Sequence, residues 1–144
     1  MTDVTDDLAS RLFALDTESL GTGAVTARIT REIVRWALSN GWNPRAEARV
    51  GVTVSGHGGS RIGYIDVIVR RGGEPDLAIE VDSGDKPWSL DKLRHAAAAG
   101  MHPIWVRWGD DAWAGYCDDI DVIQLPALRR SAPRRAGDQL RLWP

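Results

Sequence analysis

The segment GYIDVIV, residues 63–69, places one aspartate, Asp66, inside a run that is otherwise apolar. Ile, Val and Tyr favour β-strands, whereas aspartate is depleted in strands and an unpaired buried carboxylate costs several kcal/mol. Asp66 therefore needs either a hydrogen bond from a backbone amide, an arginine partner, or a cation. This need constrains the fold, because the neighbouring elements must provide such a partner beside the middle of this strand.

The turn RRGGEP is followed by a second apolar run, residues 76–82. This run ends with the acids Glu80 and Asp82. Alternate residues of a strand share a face, so these two acids point to the same side. If the two runs pair as a hairpin, Asp66 and Glu80 repel each other unless a cation lies between them. Two carboxylates with open coordination positions suit Mg²⁺, a hard ion that retains waters, and we expect Mn²⁺ to substitute for it.

The order of predicted elements is a short helix, a longer helix, three strands, a helix and two strands. Hydrophobic periodicity, turn residues and helix stop signals place them at residues 7–15, 24–40, 46–54, 62–70, 76–82, 87–99, 102–108 and 120–125. Meandering strands followed by a helical crossover predict an α/β (α+β) chain with a mixed β-sheet flanked by helices. We expect one domain over residues 1–116, with its core at about 24–108, and a C-terminal strand and arginine-rich tail over 117–144.

The charge of the chain is close to balanced, with 18 basic and 20 acidic residues and a net charge of -2. A protein that coats DNA without specificity is usually much more basic. The tail is basic, however, and its arginines are candidate contacts for nucleic-acid phosphates: Arg129, Arg130, Arg134 and Arg135. The alternative is a solvated tail without a ligand.

The single cysteine, Cys117, excludes a disulfide within the chain and suits a reducing cytoplasm. It also excludes a cysteine-based zinc site built within one chain. The N-terminal segment is acidic and does not resemble a secretory signal, and the apolar runs are too short to cross a bilayer. We therefore expect a cytoplasmic protein with no membrane partner.

The chain resembles the PD-(D/E)XK, or restriction-endonuclease-like, nuclease superfamily. The resemblance rests on Ile65-Asp66-Val67 and Ile79-Glu80-Val81-Asp82, followed by a helix and the strand at 103–108, and spans roughly residues 24–108. It implies an αβββαβ core and a metal-dependent nuclease that hydrolyses DNA through a water activated by Mg²⁺. By the same resemblance, Asp66, Glu80 and the carbonyl of Val81 hold the metal.

The resemblance also implies a further acid. Many members take a glutamate from the first core helix, which corresponds to Glu32, and Glu47 at the start of the first strand is the other candidate. Glu32 falls within the apolar stripe of its helix, so it lies either at the solvent edge of that stripe or towards a positive charge.

The chain departs from the family at Asp82, where most members carry a lysine. Some members carry this lysine on the following helix, where Lys92 is the first candidate and Lys86, in the preceding turn, is the second. A long flexible side chain from Lys92 can reach over the adjacent strand. Asp82 then either supports a second metal or orients Lys92. For both lysines the alternative is a solvated position, and Lys86 is also a candidate phosphate contact.

Other functions stay open at this point. An aspartate in the lysine position is compatible with a catalytically inactive module that binds nucleic acid or a protein partner. A homodimer, or recruitment by another protein, is also compatible with the absence of a separate recognition domain.

Ser89 is expected to cap its helix, and Trp105 and Trp108 are expected to fill the core.

Overall fold

Three helices and one five-stranded sheet make up the computed structural model, which describes residues 3–16, 21–54, 59–84, 86–109 and 119–125. Side chains of Thr22 and of residues 49–54 and 59–62 are outside this description. The elements, in chain order, are α1 (Val4–Phe13), α2 (Thr22–Ser39), β1 (Asn43–Val54), β2 (Gly59–Arg70), β3 (Leu77–Asp82), α3 (Pro87–Ala98), β4 (His102–Arg107) and β5 (Asp121–Gln124).

The strands lie in the order β1-β2-β3-β4-β5. The first three strands pair antiparallel, and β4 and β5 run parallel to β3. The sheet is therefore mixed, and with its flanking helices it confirms the predicted fold class. The predicted order of helix, three strands, helix and strand is present as α2, β1 to β3, α3 and β4. The final predicted strand is β5, so the sheet continues past residue 116.

Each face of the sheet is covered by helices. Leucine and isoleucine side chains of α1 and α2 pack on one face with Val67, Ile79 and Val106. On the other face, Leu93 and Ala96 of α3 pack with Ala78 and Trp105. Trp105 and Trp108 are 1% and 7% exposed, which confirms their predicted place in the core.

Capping explains where the helices begin. The prediction that the first helix starts at residue 7 was wrong by three residues, because the side chain of Asp3 accepts a hydrogen bond from the amide of Asp6 and starts α1 at Val4. Pro87 occupies the first turn of α3, as predicted. None of the helices described is long and apolar enough to span a membrane.

A cluster of three side chains ties α1 to the beginning of β4 and β5. One carboxylate oxygen of Asp121 (Oδ2) accepts a hydrogen bond from Thr5 at 2.5 Å and lies 2.7 Å from Nε2 of His102. Burial opposes ionisation of Asp121, but the bonds from Thr5 and His102 outweigh it and lower the pKa of Asp121 below its usual value. This cluster lies at the end of the sheet opposite to the carboxyl end of β3.

The alternation of side chains between the two faces of the sheet is interrupted at one position of the long hairpin β1–β2. Ala46 and its partner Val67 lie on the α2 side, whereas Ala48 and its partner Ile65 lie in the core on the α3 side. Strict alternation would put all four on one face. The change occurs at Glu47, which has a φ of 53° and is the one non-glycine residue with positive φ in the described part of the chain.

Candidate active site

Asp66 and Glu80 lie where the pairing between β2 and β3 ends. The last paired residues are Val67 and Ile79. At the next position the amide of Asp66 donates to Oε2 of Glu80 at 3.0 Å, and the amide of Val81 donates to Oδ2 of Asp66 at 2.8 Å. Each carboxylate thus replaces one hydrogen bond of the ladder. The sequence left a backbone amide as one possible partner of Asp66. One oxygen of Asp66 has such a partner, and so has one oxygen of Glu80.

The other oxygen of Glu80 faces α3. Oε1 of Glu80 lies 3.1 Å from Nζ of Lys92 and accepts a hydrogen bond from the hydroxyl of Ser89, also at 3.1 Å. All three residues are buried, with 2% exposure for Glu80 and 8% for Lys92. The prediction that Ser89 caps its helix was wrong, because Lys86 is the N-cap residue and the Ser89 hydroxyl instead holds Glu80.

Lys92 is fixed by three elements at once. Its ammonium donates to the carbonyl oxygen of Tyr64 at 2.7 Å and lies 5.7 Å from the centre of the Trp88 ring. An ammonium has three N–H groups. Two of them are used by Tyr64 and Glu80, and the third has no partner within the described residues.

Gly63 makes this arrangement possible. A Cβ at residue 63 would lie 2.9 Å from Cδ of Lys92 and 2.9 Å from Cζ2 of Trp88. Distances this short are repulsive, so only glycine lets the lysine side chain cross β2 here. This role of Gly63 has no separate signal in the sequence, because glycine in a strand also marks bulges and turns.

The two acids resist ionisation together. Burial raises the pKa of Asp66, and the charges of Asp82 and Glu47 add to this, while the Val81 amide and Lys92 oppose it. Burial and the neighbouring charge of Asp66 raise the pKa of Glu80 to about 7, although Lys92 opposes the shift. One lysine therefore does not compensate the buried Glu80 and the half-buried Asp66, and further positive charge would stabilise the ionised carboxylates.

Asp82 does not engage Lys92. Its Oδ2 accepts a hydrogen bond from the indole of Trp105 at 2.7 Å, and its Oδ1 lies 3.9 Å from Nζ of Lys86. Arg107 is buried beside them, with its guanidinium 5.2 Å from the Trp105 ring and a hydrogen bond to Gln124. Of the two expected roles of Asp82, a second metal or the orientation of Lys92, the described contacts show neither, and the Trp105 indole bonds its carboxylate. Lys86 is exposed and does not reach Glu80 in these contacts.

The two candidates for a further acid lie in different places. Glu32 pairs with Arg11 at 2.5 Å and with Arg35 at 3.8 Å, so its charge is taken by neighbouring helix residues. Glu47 is exposed and lines a cavity of about 420 Å³ together with Asp66 and residues of α2. A larger cavity of about 710 Å³ lies at the other end of the sheet, beside Trp42, and contains none of the predicted site residues.

Open acceptor positions remain at the site. Each carboxylate oxygen accepts up to two hydrogen bonds. Oδ1 of Asp66 has no partner within the described residues, and Oδ2 of Asp66 and Oε2 of Glu80 each have one. Across the described residues, no three His, Cys, Asp or Glu side chains converge into a group that could hold a metal ion. The tail arginines Arg129, Arg130, Arg134 and Arg135 lie outside the described residues.

No family model matches the chain, and no curated protein matches it in sequence.

Enlarging Gly63 should destabilise the protein. In Gly63→Ala the added methyl meets Lys92 and Trp88 at 2.9 Å, and overpacking of this kind costs about 1–3 kcal/mol in unfolding free energy. Gly84→Ala is the matched control, since a Cβ there meets nothing within 4 Å. Chemical denaturation measures both variants, and equal stability of the two would contradict the packing described for Gly63.

Stability should depend on pH through Glu80. Its pKa is about 7 in the folded state and 4.5 in its ordinary state, so the folded protein binds more protons between these values. The unfolding free energy of the metal-free protein then falls as pH rises from 4.5 to 7, by up to about 3 kcal/mol from this group. Glu80→Gln removes this contribution. Parallel pH profiles for wild type and variant would refute the shift.

Proposed function

We propose that this protein is a metal-dependent nuclease that hydrolyses phosphodiester bonds of DNA at the cluster formed by Asp66, Glu80 and Lys92. The observation that carries the proposal is the 3.1 Å contact between Nζ of Lys92 and Oε1 of Glu80. It supplies from α3 the ammonium group that is absent at Asp82. The order of α2, β1 to β3, α3 and β4 is that of the PD-(D/E)XK superfamily, which the chain resembles in its motifs.

The acids fit a hard divalent cation. Asp66 and Glu80 come from neighbouring strands, retain open acceptor positions and have raised pKa values, so a cation would relieve their repulsion. Two carboxylates suit Mg²⁺, which keeps several waters and rarely has a cage made of protein ligands alone, and Mn²⁺ prefers similar ligands. The Val81 carbonyl is a further candidate ligand. When bound, the metal lowers the pKa of a water and neutralises charge on a phosphate oxygen.

The chain's own residues would orient the reaction. Ser89 and the Asp66 amide hold the two oxygens of Glu80 from opposite sides, which fixes the plane of that carboxylate. The third N–H of Lys92 is available to a phosphate oxygen or to the attacking water. Because Lys92 is buried and bonded to Tyr64, it needs little reorganisation to act, which is the condition for effective electrostatic stabilisation. Glu47, rather than Glu32, is the proposed further acid, because it lines the same cavity as Asp66.

DNA is the proposed substrate, and the arginines of the tail are the proposed phosphate contacts because of where the chain leaves the sheet. β5 runs parallel to β4, and β4 to β3, so the chain leaves β5 at the same edge of the sheet as Glu80 and Asp82. Two strand spacings amount to about 10 Å. Arg129 follows Leu125 by four residues in the sequence.

A catalytically inactive module is the second candidate function, and one observation favours it. Oε1 of Glu80 already has two donors, Lys92 and Ser89, and the position of the usual lysine holds Asp82, whose carboxylate is bonded to Trp105. Such a module would bind nucleic acid or a protein partner without cutting. It requires no metal.

Cleavage assays separate these two functions. The purified protein is incubated with duplex, single-stranded and branched DNA and with RNA, with Mg²⁺ or Mn²⁺ and with chelator. We expect metal-dependent cutting of DNA that falls by about 10²-fold or more in Asp66→Ala and Lys92→Ala, because each change removes charge stabilisation at the reacting phosphate.

Two matched pairs sharpen this test. Lys86→Ala should raise KM and leave kcat within about twofold, in contrast to Lys92→Ala, which should lower kcat. Glu47→Gln should lower activity more than Glu32→Gln does. Cutting that survives Asp66→Ala would rule out this site, and an absence of cutting on every substrate would favour the inactive module.

A further inference from the structure

Tyr64 exposes an aromatic ring beside the candidate active site. It is 52% exposed, and among the described residues the only other large hydrophobic side chains of comparable exposure are Phe13 and Leu38, which lie on α1 and α2. Tyr64 precedes Asp66 by two residues on the same strand. This spacing corresponds to about 7 Å along a strand, a distance comparable with the length of one nucleotide in an extended chain.

The fold explains why this ring is not covered. On the N-terminal side of Val67, β2 does not pair with β3, so within the described residues this part of the hairpin β1–β2 has no third strand. Gly63 faces α3, and the side chains of Trp88 and Lys92 pack against it. Because neighbouring residues of a strand point to opposite sides, the Tyr64 side chain points away from α3. Apolar residues of α3 therefore do not bury it.

The position of Tyr64 is nevertheless fixed relative to the site. Its carbonyl oxygen accepts the 2.7 Å hydrogen bond from Lys92, whose ammonium also contacts Glu80. The backbone of Tyr64 and the acids are thus joined through one lysine. A tyrosine ring has only two side-chain torsions to order, so stacking on it loses little conformational entropy.

We infer that Tyr64 stacks on an unpaired base next to the scissile phosphate, and that the preferred substrate is single-stranded or locally unpaired nucleic acid. This inference rests on the proposed nuclease function for the position of the phosphate. In a duplex, both faces of a base are covered by neighbouring bases, whereas an unpaired base offers a free face to an aromatic ring.

The charge of the site supports the same substrate class. Four carboxylates, those of Asp66, Glu80, Asp82 and Glu47, lie on or beside it, and the chain as a whole carries a net charge of -2. Electrostatic attraction to phosphates, which provides most non-specific affinity for duplex DNA, is therefore weak at this surface. Stacking does not depend on charge, and it contributes an affinity factor of roughly tenfold for each base.

Binding to labelled oligonucleotides in the presence of EDTA tests this inference without cleavage. Fluorescence anisotropy compares a single-stranded 12-mer with the same sequence as a duplex. We expect the wild type to prefer the single strand, and Tyr64→Ala to lose about tenfold affinity for the single strand while its affinity for the duplex changes less than twofold. Tyr64→Phe keeps the ring and should stay within twofold of wild type.

Phe13→Ala is the matched control, since Phe13 is 54% exposed and lies at the end of α1, not on the strands that carry Asp66 and Glu80. It should bind both oligonucleotides as the wild type does. Equal losses in Tyr64→Ala and Phe13→Ala, equal losses for single strand and duplex, or no binding by the wild type would each overturn the inference.

The outcome is separable from that of the nuclease proposal. Loss of single-strand affinity in Tyr64→Ala together with no cleavage by any preparation supports stacking and contradicts the nuclease. Metal-dependent cleavage by the wild type together with unchanged affinity in Tyr64→Ala supports the nuclease and contradicts stacking.

Discussion

The site depends on the pair of exchanged hydrogen bonds that ends the ladder between β2 and β3. The Asp66 amide bonds the Glu80 carboxylate, and the Val81 amide bonds the Asp66 carboxylate. These bonds let the buried Glu80 and the half-buried Asp66 lie within a sheet without leaving the amides of Asp66 and Val81 unsatisfied. They leave Oε1 of Glu80 outside the exchange, and this oxygen lies 3.1 Å from Nζ of Lys92 of α3. Without the exchange, the acids would face solvent or the strands would continue as ordinary sheet.

Lys92 connects this feature to the rest of the fold. Its side chain crosses β2 over Gly63, its ammonium bonds Tyr64, and it ends at Glu80. The helix α3 is thereby joined to two strands through one buried charge. Breaking such a pair from one side is costly, because the remaining carboxylate stays buried without compensation. The same lysine that stabilises the Glu80 carboxylate is therefore the group proposed to contact phosphate, and a bound cation would share the compensation of the Glu80 charge.

The parts of the site that follow strand and helix periodicity could be predicted from the sequence. The hairpin of two apolar runs predicted that Asp66 and Glu80 lie side by side. The resemblance, together with the position of Lys92 beside the core-facing side of its helix, favoured this lysine over Lys86. Asp66 was correctly recognised as needing a partner, although one oxygen uses a backbone amide. Ser89 was misread, because a serine in the first turn of a helix has a common local role that does not require a distant carboxylate.

The remaining features depend on tertiary contacts or backbone geometry that hydropathy does not encode. The positive φ of Glu47 coincides with the change of face along β1, and Glu47 lines the cavity that Asp66 also lines. Glu32 lies at the helical position that the resemblance favours, yet Arg11 of α1 pairs with it. That contact follows from how α1 docks on α2, which no local pattern of either helix determines. The indole of Trp105 similarly takes Asp82 from across β4.

The central claim is that Asp66 and Glu80 jointly hold a divalent cation, and isothermal titration calorimetry with Mn²⁺ tests it most directly. The account predicts binding to the wild type that is lost in Asp66→Asn and in Glu80→Gln, and retained in Glu32→Gln, whose carboxylate is paired with Arg11. Circular dichroism of each variant verifies that the fold is kept. Absence of binding to the wild type, or binding that persists when both Asp66 and Glu80 are replaced, would contradict the account.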